Sequence, residues 1–153
     1  MIQTDFLKRR VETRELLMRL FYQMGITNDY SEDAKTKFLD EYVLSDNSIQ
    51  PDYKYFNRML KAFISNRENV DKCISGASDN WKLERISKVD FAILRLSVTE
   101  MQYLEKEDIS EKISINEAVE LAKNYGTEKS PGFINGLLGR IAREEADNGT
   151  KTD

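Results

Sequence analysis

Apolar residues recur every three or four positions along most of this chain, the spacing of one face of an α-helix. A first helix is predicted over residues 7–24, with Leu17, Leu20, Phe21 and Met24 on its inner face and Gly25 as its stop. Ser31, followed by Glu32 and Asp33, is a good start for a second helix whose inner face carries Phe38, Leu39, Tyr42 and Val43. Residues 45–51 are polar and read as a loop. A third, long helix is predicted over residues 52–74, through Phe56, Met59, Leu60, Phe63, Val70 and Ile74, with Gly76 and Ser78 ending it. Arg67 interrupts its apolar stripe, so that turn is either exposed or packed by the arginine stem.

A short helical turn is expected around residues 81–85. Ser87 with Asp90 three positions on is a capping box opening a fourth helix, with Val89, Ile93, Leu96 and Tyr103 inward. Ser114 with Glu117 repeats that pattern and opens a fifth helix closed by Gly126. Ser130-Pro131 starts the last helix, whose inner face is Ile134, Leu137, Leu138 and Ile141. No stretch alternates long enough for a strand. The pattern predicts an all-α bundle in which residues 1–146 form one domain and residues 147–153 a disordered tail.

Composition narrows the function classes. The 153 residues carry a net charge of −4, so the chain does not coat nucleic acid by bulk charge and needs a local basic patch or a basic partner. It has no histidine, which removes the commonest general base and metal ligand. Its one cysteine, Cys73, closes no intrachain disulfide and reads as a small, partly buried hydrophobe. No apolar run approaches the ~18 residues of a membrane span, and no signal peptide pattern is present, so a cytoplasmic protein with no membrane contact is expected. Gly132, Gly136 and Gly139 lack the ending of a phosphate loop; the four-residue spacing of the first two instead suggests close approach of another helix. No enzyme, cofactor or metal is expected.

Three features carry chemistry. Lys8, Arg9, Arg10 and Arg14 cluster on the first helix, with Arg10 and Arg14 one turn apart, so that their guanidinium groups can reach successive phosphates. Tyr22, two turns on, offers a ring for a base. The structural alternative is a solvated face, since Glu12 and Glu15 are interspersed. Arg95, inside an apolar helix, reads as a buried arginine paired with a carboxylate. Lys129 and Phe133 flank the start of the last helix, whose free N–H groups favour a phosphate; the alternative is a plain helical hairpin.

Three ordered segments resemble the NusB family of bacterial antitermination factors: ERIS-x-V-D-x-AILRL-x-V-x-E from Glu84, then INEAVELAK-x-YGT from Ile115, then F-I-N-G-L-L-x-x-IARE from Phe133. A fainter N-terminal match runs from Arg14 to Met24. The resemblance implies a NusB-like bundle of about seven helices in two packed subdomains. It implies that the chain binds boxA RNA together with NusE, a basic small-subunit ribosomal protein, in support of rRNA transcription by RNA polymerase with NusA and NusG. By position it implies RNA contacts at Arg9, Arg10, Arg14, Tyr22, Lys129 and Phe133, and NusE contacts at Glu84 and Asp90. Homodimers that hide the RNA surface also belong to what it implies.

Two departures bear on affinity. Val11, Glu12 and Thr13 thin the arginine cluster, and Lys129 stands where relatives commonly carry an acid. The other readings are a helical protein-interaction module and an accessory to a separate RNA methyltransferase, since the chain has no room for a methyltransferase domain.

Overall fold

The computed structural model describes residues 2–43, 50–78, 83–104 and 109–151, with the side chains of 5–43, 50–78, 83–104 and 109–146 placed. The described residues form six α-helices, α1 (Ile2–Thr27), α2 (Glu32–Tyr42), α3 (Tyr53–Ala77), α4 (Lys88–Tyr103), α5 (Glu111–Tyr125) and α6 (Ser130–Lys151), with one 3-10 turn, Leu83–Arg85, and no strand. The helix count is thus six and a short turn rather than seven.

α4 is the central element. It packs against α1, α3, α5 and α6, and every residue from Ala92 to Met101 is buried. One continuous core joins Leu17 and Phe21 of α1, Phe56 and Phe63 of α3, Ile93 and Leu94 of α4, Ala122 of α5 and Leu138 of α6. Phe21 stacks on Phe63 with ring centroids 4.1 Å apart, fixing α1 against the middle of α3.

Several helix ends fall where local chemistry places them. Ser31, Asp52 and Ser87 each accept from the backbone N–H three residues on, as N-caps do. Others shift from the predicted bounds. α1 runs through Gly25 and closes at Asn28, which takes the left-handed conformation (φ 57°) and donates its N–H to Met24. α5 begins earlier than predicted: Ser110 is its cap, accepting from Ile113 N, and Ser114 lies inside the helix. Tyr103 is outward rather than inward. The chain stays helical past Asp147 to Lys151 where a disordered tail was expected, because a running helix extends more easily than it nucleates. Trp81 and residues 44–49 of the predicted loop lie outside the described residues.

Arg67 sits beside a kink at Asn66 and lays its guanidinium 3.9 Å over the Tyr30 ring, so the interrupted turn is packed. Gly132 and Gly136 do not admit another helix: a Cβ at either would meet nothing within 4 Å. The glycine that is required is Gly126, where a Cβ would lie 2.5 Å from Ser130 Oγ at the α5–α6 turn. The double substitution Gly132→Ala and Gly136→Ala is therefore expected to raise stability by about 1–2 kcal/mol, since helical glycine costs about 0.8–1.0 kcal/mol relative to alanine. A higher urea midpoint with unchanged slope is the outcome to look for; a lower midpoint contradicts the open surroundings of these glycines.

Candidate nucleic-acid interface

The predicted RNA-contacting residues do not form one cluster. Arg10 lies at the start of α3, 3.4 Å from the carboxylate of its N-cap, Asp52. Lys129 and Phe133 line a cavity that also includes Ala77 and Ser78, at the end of α3. α3 has 25 residues, so at 1.5 Å per residue the two groups are separated by roughly 35 Å, somewhat less because of the kink at Asn66. Tyr22 is exposed on α1 between these ends.

Arg14 faces inward, which corrects its assignment as a phosphate ligand. It is 5% exposed and its Nε donates to Glu100 Oε2 at 2.9 Å. Glu100 is 3% exposed; it also accepts from the Tyr55 hydroxyl, and from Ser114 Oγ at 2.6 Å. Burial opposes the charge on Arg14, but Glu100 and Tyr55 outweigh it and hold the guanidinium above its ordinary value. Burial, reinforced by Glu100, pushes the Tyr55 phenol well above its ordinary value, so it remains a donor. The arginine that reads like an extension of the basic cluster is a strut joining α1, α3, α4 and α5. Arg95 is a second strut, as expected: it binds Asp71 bidentately at 2.8 and 2.9 Å and meets the Tyr30 hydroxyl at 2.8 Å.

Arg9 is exposed, whereas Arg10 is half-buried. The Arg10 guanidinium lies 4.0 Å over the Tyr55 ring and 5.0 Å from the exposed ring of Phe6. A cavity of about 650 Å³ opens here, lined by Phe6, Arg9, Arg10 and Asp52 together with Lys54 and Arg58 of α3. Sequence reasoning missed those last two. Their four-residue spacing on one helix face was the available signal, but only the fold brings that face beside α1.

The second cavity, about 750 Å³, brings Lys129 and Phe133 together with Arg85, Asp90, Arg140 and Arg143. Phe133 is 38% exposed. Arg140 donates to the Ala77 carbonyl at 2.9 Å, closing the end of α3. Phe133, Arg140 and Arg143 share a helical period, which is the sequence signal for this basic extension. The two residues expected to face a protein partner differ in access. Glu84 is exposed in the 3-10 turn. Asp90 is 9% exposed, with Oδ1 buried and without a hydrogen-bond partner among the described residues. It lines the cavity.

Cys73 is half-buried, and burial pushes its thiol up, against reactivity. No group of three or more candidate metal-binding side chains occurs among the described residues, and no described helix is long and apolar enough to cross a membrane.

The NusB family model matches residues 11–143. The chain belongs to the NusB family. A transcription antitermination protein NusB of Acetivibrio thermocellus is 44% identical over 134 residues, spanning 88% of each chain. One from Clostridium botulinum (strain Kyoto / Type A2) is 39% identical over 142 residues, covering 86% of this chain and 98% of its own. Among solved structures, T. maritima NusB superposes with a TM-score of 0.75 at 33% identity, covering 88% of this chain and 91% of its own. A crystal structure of the antitermination factors NusB and NusE with double-stranded RNA shares the fold, with a TM-score of 0.75 at 21% identity over 90% of this chain and 98% of its own. The NusB fold therefore accounts for the six helices; the motif from Glu84 runs from the 3-10 turn into α4, that from Ile115 spans α5 and its end, and that from Phe133 lies in α6.

Proposed function

We propose that this NusB family member is a transcription antitermination factor that binds boxA RNA together with NusE, supporting rRNA transcription by RNA polymerase with NusA and NusG in the cytoplasm. It works by binding, not catalysis. The observation that carries the reading is the cavity at the start of α6: an exposed aromatic ring, Phe133, set among Arg85, Lys129 and Arg143 on a chain whose net charge is −4. A local concentration of cations beside a ring suits a single strand, whose phosphates need charge and whose bases stack. Arg9 and Arg10 supply a second contact and Tyr22 an intermediate one.

The acidic remainder of the chain suits a basic partner. Glu84 is the exposed acid of the pair assigned to NusE, and Asp90 accepts a donor that enters the cavity. The structural relative solved with NusE and double-stranded RNA has the same fold, which supports this pairing of partners. In a gel-shift titration, RNA binding is expected to weaken steeply with salt, as log K for a single strand falls by about 0.7 per phosphate contact for each tenfold rise in salt. Binding that does not change with salt would leave the cationic cavities without a role and sink the reading.

A further inference from the structure

The turn between α5 and α6 forms one wall of the cavity that holds Phe133: Thr127, Lys129 and Ser130 all line it. That turn is fixed from within. Ser130 Oγ accepts from Thr127 N at 2.9 Å, Ser130 N donates to the Thr127 carbonyl at 3.1 Å, and Phe133 N donates to the Lys129 carbonyl at 3.1 Å. It is also fixed from outside, by the residue just before it. The hydroxyl of Tyr125, the last residue of α5, donates to Glu15 Oε1 on α1 and accepts from Arg19 Nη2 at 3.1 Å. Arg19 in turn meets Glu15 at 3.2 Å and lies 5.7 Å over the Tyr125 ring. Three side chains thus close a triangle across 110 positions of sequence.

This clamp is out of proportion to its worth for stability. Arg19 and Glu15 keep 43% and 35% of their side chains exposed, and an ion pair so open to water contributes little. Burial, reinforced by the bond to Glu15, pushes the Tyr125 phenol up, so the hydroxyl stays protonated and donates. What the clamp fixes is distance. α1 carries Arg9 and Tyr22, and Tyr22 stands one turn from Arg19 on the same face. Lys129 follows Tyr125 by four residues, through the turn just described. Two parts of the cationic and aromatic surface, borne by different helices, are thereby held in one register.

We infer that Tyr125 is a positioning residue of the RNA interface: its bonds to Glu15 and Arg19 set where Lys129 and Phe133 stand relative to Tyr22. The inference rests on the RNA-binding reading above and extends it to three residues that touch no RNA in that reading. Glu15 separates positioning from plain electrostatics. Its carboxylate lies on the same helix as Arg9 and Tyr22, so on charge alone it repels a phosphate backbone and its removal favours RNA. As the acceptor of the clamp, its removal costs affinity instead. The two effects have opposite signs.

The test is fluorescence anisotropy of a boxA-containing single-stranded RNA with the full chain. Tyr125→Phe keeps the ring and loses only the hydroxyl, and Glu15→Ala removes the acceptor. Each is expected to weaken binding about three- to ten-fold, roughly the worth of one hydrogen bond. Their urea midpoints should stay close to the parent's, since the clamp is exposed. The combined variant should bind no more weakly than the worse single one, because both break the same clamp. In a Lys129→Ala, Phe133→Ala background both substitutions should be silent, whereas a purely structural role would add its cost there too. If wild-type protein binds RNA and Glu15→Ala binds it as tightly or more tightly, the inference fails alone; wild-type affinity in Tyr125→Phe overturns it equally. If Tyr125→Phe lowers the midpoint, Glu15→Ala decides by itself. If wild-type protein binds no RNA at any salt, the functional reading falls and this one with it.

Discussion

Replacing Glu100 by alanine is expected to destabilise the protein by about 3–5 kcal/mol, because breaking a buried ion pair strands its partner charge in the interior. Glu100 is the hub of four helices. Its carboxylate takes Arg14 from α1, Tyr55 from α3 and Ser114 from α5, while Glu100 itself belongs to α4. Without it, Arg14, 5% exposed, loses its ion-pair partner, and two hydroxyls lose their acceptor. Glu100→Gln keeps the shape and an acceptor, so its loss should be smaller. Urea unfolding of both variants provides the check. A loss under about 1 kcal/mol for Glu100→Ala would mean that Arg14 finds water, and that the network is less sealed than its burial indicates. The same geometry makes Arg14→Glu a folding defect, since it would set a second carboxylate beside Glu100. It is not a usable probe of RNA binding.

Charge reversal at the exposed cations should act on binding instead. Arg9→Glu and Lys129→Glu are each expected to weaken RNA binding about ten-fold near physiological salt, through loss of a phosphate contact and added repulsion. The two positions lie near opposite ends of α3, roughly 35 Å apart along its axis. Their effects on the free energy of binding should therefore add, giving about a hundred-fold loss in the double variant. Both side chains are exposed, so helicity and unfolding midpoint should stay close to the parent's. Strict additivity supports one strand touching both ends. A double variant no weaker than the worse single variant would mean that only one end is used.

The helices were largely legible because their apolar period is strong: Leu17, Phe21, Phe63, Ile93 and Leu138 were all assigned inward or to an apolar helix, and all are buried. Boundaries were harder where two residues competed for one role. Ser110 and Ser114 both suit a cap, and the local pattern favours Ser114 with Glu117. The fold instead needs the Ser114 hydroxyl at Glu100, four helices deep, and Ser110 takes the cap. Tyr103 follows the apolar period of α4 but falls on its last turn, where it is 36% exposed.

The site was legible only in part, for a related reason. Sequence spacing reports which residues share a helix face, and Arg10 and Arg14 do. It does not report that this face turns from solvent into the core between them. Burial of Arg14 depends on Glu100, which is 86 positions away. Lys54 and Arg58 join Arg9 only because Asp52 and Thr13 bind across 39 positions. Asp90 was assigned to a partner from the family resemblance, and its capping role from spacing. That its carboxylate turns into a basic cavity required the packing of α6 against the start of α4.

The most direct measurement is an anisotropy titration comparing boxA RNA with a scrambled sequence of equal length, with and without NusE. BoxA is expected to bind more tightly than the scrambled strand, with a further gain in boxA affinity when NusE is present. Equal binding of the two sequences in both conditions would contradict the proposed function, leaving a NusB fold whose basic cavities serve another anion.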